Sequence, residues 1–346
     1  MRLISDNKIL NPLKENNFNE LRLIFSIIVM IFHIGEHSQV LDFHWMTFFS
    51  AKFAVQGFFV ISGFLVLMSY INTKNLKIYF KKRFLRLAPA YIAVVILSAV
   101  LLSLLSTLSF ENYFKSSKLY KYVFYNLALS NFSQSDLPGV FVNNLDQSVN
   151  GSLWTIKIEV AFYLMVPLLV FFTRCFNKNF ILIIFFLSIL WNLVFNVLAF
   201  HFNNELFLKL ARQIPGQLSF FSGGILAYFY TLKFNPKPIL STILCIFSII
   251  LYFNTNGIIN DIIAPFAVTI IVYWAAIILK PSYILNNKTD ISYGLYLYHF
   301  PVIQAFVALG LFSLNPLGTL FLLTAVVIGI SIFSWHFIER PFLHKI

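Results

Sequence analysis

The stretch "RLIFSIIVMIFH", Arg22 to His33, places ten residues, all apolar except Ser26, between a guanidinium and an imidazole. Runs of this kind recur through the 346 residues, which are 59% hydrophobic, 18% aromatic and only 11% charged. A soluble domain is usually about 25% charged. A globule in water leaves much of its surface exposed and could not hide so much apolar area. Apolar runs of about 18 to 25 residues match the length of helix needed to cross a bilayer. The sequence therefore predicts an all-α, polytopic membrane protein.

Working outward from Arg22–His33, ten spans are expected, at about 19–35, 47–70, 88–110, 152–172, 180–200, 213–231, 238–254, 260–279, 291–313 and 316–338. The longest break, 111–151, is polar and Asn-rich, with room for a short amphipathic helix near Leu119–Leu129. The polar first 20 residues contain Pro12 and lack the short apolar core of a signal peptide, so the first span is expected to stay in place as a helix. Cys175 and Cys245 show neither a disulfide framework nor metal-ligand spacing, and read as apolar side chains.

The net charge of +12 raises the question of nucleic acid. Topology answers it. With the N-terminus in the cytoplasm, eighteen of the 25 Lys and Arg residues fall on cytoplasmic segments and six on outer ones, with Lys157 inside a span. Lysine and arginine are enriched on cytoplasmic loops. Both termini are then cytoplasmic, and no nucleic-acid partner is needed.

Ionisable groups within a span are costly and usually face the bundle interior or a cavity. Arg22 and His33, eleven residues apart, are close to three full helical turns apart and share one face, about 16 Å apart along the axis. Arg22 reads either as a snorkelling flank or as an anion contact, and His33 either as an interhelical hydrogen bond or as a reacting group. "KKRFLRLAPAY", Lys81 to Tyr91, puts Arg83 and Arg86 one turn apart. It reads as topological anchoring or as a phosphate site, because the guanidinium fork pairs phosphate oxygens two at a time. "SLWTIKIEVAFYLMVP", Ser152 to Pro167, carries Glu159 roughly 10 Å below the outer surface, close to the depth expected for His33. A carboxylate at that level can orient an imidazole, as in general-base systems, or can pair with Lys157.

In "QGFFVISGFL", Gln56 to Leu65, Gly57, Ser62 and Gly63 suit close helix approach. "ISYGLYLYHFPV", Ile291 to Val302, carries Tyr293, Tyr296, Tyr298 and His299 before Pro301; His299 reads as structural or as site-lining. In "FIERPF", Phe337 to Phe342, Glu339 is expected to pair with a nearby arginine. No phosphate-binding loop, dinucleotide fingerprint, GxSxG elbow or HExxH motif is present, which argues against an ATPase or a familiar soluble hydrolase.

Taken in order, these stretches resemble the membrane acyltransferase-3 family, which O-acylates bacterial cell-surface sugars. Its Arg, ten residues, then His stands at Arg22–His33, and its "FFxxSGFL" at Phe58–Leu65. Its "KRxxRLxPxY" stands at Lys82–Tyr91, and its "SLWSxxxE" at Ser152–Glu159, with Thr155 where Ser is usual. Its "ISYxxYLxHxP" stands at Ile291–Pro301 and its "ERPF" at Glu339–Phe342. The resemblance implies an acyl-CoA donor, usually acetyl-CoA, and no metal. It implies a hydroxyl acceptor on a polysaccharide or lipid-linked sugar such as O-antigen, with the enzyme held among lipids of the bacterial inner membrane. By the same resemblance His33 and Glu159 are catalytic and Arg22, Arg83 and Arg86 bind the donor; Ser62, Trp154, Tyr293 and His299 line the substrate site. Some members carry a C-terminal esterase-like domain; here a single transmembrane domain over 1–346, with its core at about 19–342, is expected. Two alternatives stay open: a transporter or flippase of lipid-linked sugars, and an acyltransferase for a small molecule. Direct transfer and an acyl-His33 intermediate also stay open.

Overall fold

A computed structural model of the chain describes residues 16–73, 75–177, 179–234, 237–281 and 289–343. Arg2, Lys8, Pro12, Lys14, Lys74, Lys178, Lys288 and Lys345 lie outside the described residues. Among the described residues the chain is helical, without strands. The ten longest helices are α1 Phe18–His37, α2 Ala51–Asn72, α3 Leu76–Leu101, α4 Trp154–Phe176 and α5 Asn179–Phe202, followed by α6 Ile214–Lys233, α7 Pro238–Asn254, α8 Gly257–Tyr273, α9 Ser292–Ala308 and α10 Pro316–Ser334. Each lies on one of the expected spans. The break at 111–151 holds two short helices, Phe110–Lys115 and Ser117–Leu127.

Seven helical segments are long and apolar enough to cross a bilayer: Phe18–His37, Leu41–Asn72, Leu76–Leu105, Gly151–Phe176, Asn179–Phe202, Gly257–Ile278 and Pro316–Leu343. The count of ten spans and the cytoplasmic termini rest on the sequence. The segments that miss this measure have a physical pattern. Helix α7 is apolar but only 17 residues long. Helices α6 and α9 carry Gln217, Ser219, Ser222, Ser292, His299 and Gln304 on buried positions, so much of their surface meets protein. Helix α5 is the reverse: its mean hydropathy is 2.5, and Leu182, Ile183, Phe186, Leu187, Leu190 and Phe200 are exposed. Apolar side chains outside and polar ones within is the arrangement a lipid solvent selects, because only protein interior can satisfy hydrogen-bonding groups there. The chain is a multi-pass membrane protein.

Among the boundaries that differ from the sequence expectation, two have a clear local cause. The third span was expected from 88, but α3 starts at Leu76, so the basic cluster is helical. Pro89 sits inside α3 without ending it. The ninth was expected to reach 313, but α9 stops at Ala308, where Gly310 adopts φ +66. That left-handed conformation closes a helix and suits a residue without Cβ.

The chain divides into two compact units. One comprises the described parts of Met1–Leu21, Val55–Leu76 and Ile158–Asn286. Helices α2 and α6 cross in close contact. A Cβ on Gly63 would stand 1.9 Å from the Phe221 carbonyl oxygen, and one on Gly224 would stand 2.0 Å from that of Val60. Phe162 stacks on Phe221 at 4.5 Å and meets Phe59 edge-on. The small-residue reading of "ISGF" holds for Gly63. In the same unit Cys245 is buried and Cys175 exposed, both free thiols.

The other unit comprises Arg22–Ala54, Lys77–Lys157 and the described part of Asn287–Ile346. Its core joins Met30 and Ile34 of α1, Leu295 and Ile303 of α9, and Leu323 and Val327 of α10, closed by Phe43, Met46 and Phe312.

Candidate functional site

Within this second unit α1 and α9 run side by side in the same direction, coupled at three levels. At the first, Arg22 Nη1 donates to Asp290 Oδ2 at 3.1 Å and Arg86 Nη2 donates to the same oxygen at 2.5 Å. At the second, Ser26 Oγ donates to the Ser292 carbonyl at 2.7 Å. At the third, His33 Nδ1 lies 2.9 Å from His299 Nε2, with the two rings nearly parallel, 7° apart. Arg22 and His33 sit on one unbroken helix and reach the same neighbour, as the eleven-residue spacing requires.

Asp290 owes its place to the start of α9. Its Oδ1 accepts from the Ser292 backbone N–H at 3.2 Å and from Ser292 Oγ at 2.5 Å, as a carboxylate does at a helix N-terminus. Burial alone would push this carboxyl up. Arg22, Arg86 and the Ser292 hydroxyl outweigh burial and hold it well below the ordinary carboxylate range. Two guanidiniums thus share one carboxylate oxygen. The Tyr293 hydroxyl donates to the Leu87 carbonyl at 3.0 Å, and Arg86 lies over its ring at 6.0 Å. Arg83 stands half-buried one turn before Arg86.

His299 is fully buried at 0% exposure, and its Nδ1 faces the Leu295 carbonyl at 3.0 Å. Ser152 Oγ lies 3.4 Å from its Nε2. Pro301 has no N–H, so the Leu297 carbonyl loses its partner in the helix. Asn150 Nδ2 donates to that carbonyl at 2.8 Å. Farther along α9, Asn144 Nδ2 donates to Gln304 Oε1 at 2.9 Å, and Gln304 Nε2 donates to the Asp146 and Ser148 carbonyls. The connection 144–152 is thereby stitched to α9 from Leu297, four residues before Pro301, to Gln304, three residues after it. Thr155 Oγ1 and the Tyr296 hydroxyl are 2.7 Å apart, so the hydroxyl kept by the Thr-for-Ser departure is used. His37, one turn beyond His33, completes a small aromatic cluster with Phe300, at 5.0 Å between ring centroids.

In the first unit, Glu159 Oε1 accepts from Ser62 Oγ at 3.2 Å and from the Tyr163 hydroxyl. Lys157 belongs to the second unit, where its Nζ lies over the Phe132 ring at 5.0 Å. Trp154 is half-buried at the head of α4. Among the described residues, no group of three or more His, Cys, Asp and Glu side chains is placed to hold a metal ion.

The structure brings together His33 with His299, Arg22 with Arg86, and Ser62 with Glu159. Tyr293 serves Arg86 and the Leu87 carbonyl. Glu339 is 2% exposed, its Oε1 accepts from Ser334 Oγ at 3.0 Å, and it lies within electrostatic reach of Arg86 and Arg22. The change of winding over Trp335–Glu339 turns the carboxyl onto its own helix. Sequence reasoning missed Asp290, Ser152 and His37. Asp290 carried a signal, an Asp two residues before a Ser at the head of an apolar run, which is a helix-capping pattern. Ser152 stood only as the first residue of a motif, and His37 carried no signal, since their contacts come from residues far away in sequence.

Comparison with known proteins bears on the family. The chain matches the acyltransferase-3 family, described as an acyltransferase domain, over residues 16–336. It is 28% identical to "Nodulation protein 10" of Rhizobium leguminosarum bv. viciae, over 94% of this chain and 92% of that protein. It is 26% identical to an "O-acetyl transferase" of Shigella phage Sf6, over 96% of this chain and 97% of that protein. No solved structure matches. The family match takes in the Arg22–Asp290–Arg86 cluster, the histidine pair and Glu159 together, and the chain belongs to the acyltransferase-3 family.

Proposed function

We propose that the protein is an O-acyltransferase of the bacterial inner membrane. It moves an acyl group, acetyl by the likeness to the phage O-acetyl transferase, from acyl-CoA to a sugar hydroxyl of a cell-surface or lipid-linked polysaccharide such as O-antigen. One observation carries this reading: helix α1 joins an arginine cluster, at Arg22, to a histidine pair, at His33 and the buried His299.

The phosphates of coenzyme A dock on Arg22, Arg86 and Arg83, whose planar forks suit phosphate oxygens. Asp290 holds Arg22 and Arg86 in place between turnovers. His33 takes the proton of the acceptor hydroxyl, and that oxygen attacks the thioester carbonyl carbon. The tetrahedral intermediate collapses, the C–S bond breaks, and the thiolate of coenzyme A recovers the proton from the imidazolium. Protons and charge balance within one turnover, and no metal is required. Glu159, with Ser62, keeps a catalytic assignment on the family resemblance, and Trp154 and Tyr293 keep their places near the substrates on the same ground.

The test is purified protein in nanodiscs with radiolabelled acetyl-CoA and a lipid-linked sugar acceptor. A positioned general base contributes about 10² to 10⁴ in rate. His33→Ala should lose acyl transfer by that range while inserting normally, and full activity in that variant would remove His33 from the mechanism. Arg83→Ala should raise the KM for acyl-CoA more than that for the acceptor. Movement of the acceptor across the bilayer without release of coenzyme A would instead establish a transporter.

A further inference from the structure

His33 can act on a hydroxyl only through a ring nitrogen that carries a lone pair, and the surroundings of His299 decide which nitrogen that is. A backbone carbonyl is an acceptor and nothing else. The Leu295 carbonyl stands 3.0 Å from His299 Nδ1, so Nδ1 of the neutral ring carries the hydrogen. His299 Nε2 is then a lone pair. His33 Nδ1 stands 2.9 Å from it and must donate. The remaining lone pair of the two-ring system falls on His33 Nε2. Ser152 Oγ, at 3.4 Å, is a longer contact to the same His299 nitrogen, and its hydroxyl can rotate away, whereas a ring N–H is fixed in direction.

We infer that His299 is a positioning residue for the transfer reaction: the chain from the Leu295 carbonyl through His299 to His33 fixes the tautomer in which His33 Nε2 is the proton acceptor. The opposite tautomer would aim two lone pairs at each other across the 3.0 Å contact with Leu295 and would leave a hydrogen where the base is needed. His299 touches no substrate in this scheme. It does what a buried carboxylate does for the imidazole of a hydrolytic triad, where a wrong tautomer costs on the order of 10⁴ in kcat. The orienting part expected of Glu159 falls to His299, because His33 Nδ1 is already taken. The bond from Asn150 to the Leu297 carbonyl, next to Pro301, holds the turn of α9 that carries His299.

This inference rests on the reading of His33 as the base, and the experiment separates the two. Full-length protein with ¹⁵N-labelled histidine in nanodiscs reports each ring nitrogen directly, with His33→Gln used for assignment. The expected spectrum shows a pyrrole-type Nδ1 and a pyridine-type Nε2 for His33; the reverse pattern overturns the inference. Kinetically, His299→Leu should lower kcat by about 10²-fold or more with the KM for acyl-CoA little changed. His299→Gln, whose amide oxygen can accept the His33 Nδ1–H, should recover most of that loss. Equal losses in the two variants, or full activity in His299→Leu, would overturn it. An active His33→Ala variant would defeat the function reading instead, with the nitrogen spectrum of the parent protein still readable.

Discussion

Asp290→Asn is the perturbation whose size follows most directly from the structure. The carboxylate accepts from two guanidiniums at 3.1 and 2.5 Å, and the side chains of Arg22, Asp290 and Arg86 are 20%, 14% and 13% exposed. At an effective dielectric near 20, two unit charges about 4 Å apart attract by about 4 kcal/mol. Two such attractions are opposed by one repulsion of similar size between the arginines and by the cost of removing three charges from water. Removing one partner from a buried arrangement costs about 3–5 kcal/mol, because the remaining charge is stranded. The partial exposure here points to the lower end, roughly 3 kcal/mol, or about a hundredfold in an equilibrium. Asp290 is held below its ordinary value. Its contribution is therefore present above the unfolded carboxylate value of about 3.9 and is lost as pH falls through the folded one. Unfolding in mixed micelles should show a deficit for Asp290→Asn that is constant from about pH 7 to pH 5 and shrinks below about pH 4. Equal stability at neutral pH, or a deficit that grows on acidification, would refute the shared-carboxylate argument.

Other outcomes follow from single contacts. Gly63→Ala should destabilise the first unit by about 3 kcal/mol or more, since its Cβ would overlap the Phe221 carbonyl; thermal aggregation in detergent reads it. Asn150→Ala should cost about 1–3 kcal/mol, because the Leu297 carbonyl beside Pro301 loses its donor, and faster proteolysis of the 144–152 connection would show it. Thr155→Ser should leave acyl transfer and stability unchanged, whereas Thr155→Val should lower stability by about 1 kcal/mol through loss of the hydroxyl that bonds Tyr296 and the Ser152 carbonyl, measured by the same unfolding assay.

What the sequence disclosed and what it withheld divide along physical lines. Helix positions were legible because lipid demands long apolar stretches, and α1, α5 and α10 announce themselves by composition. The ends of α3 and α9 were less so. Lys77–Arg86 lies before the apolar run that marks the third span, yet the same helix carries it, and the stop after Ala308 turns on the backbone of Gly310. The Arg22–His33 face was readable from helical periodicity alone. Its partners were not: Asp290 and His299 lie more than 260 residues away, and periodicity carries no information about which helix stands opposite. Glu339 shows the limit from the other side, since a carboxyl beside Arg340 in sequence accepts from a serine on its own helix and feels Arg86 and Arg22 from distant parts of the chain.

The pairing of α1 with α9 also bears on biosynthesis. Arg22 and His33 enter the bilayer early in translation, while Asp290 and His299 are still to be made, so the first helix waits through most of synthesis with a cation and an imidazole unanswered. A chain interrupted before the ninth helix would keep those two groups stranded in lipid, a state that membrane chaperones and proteases can recognise. Catalytic competence and escape from quality control would then be granted by the same late docking event.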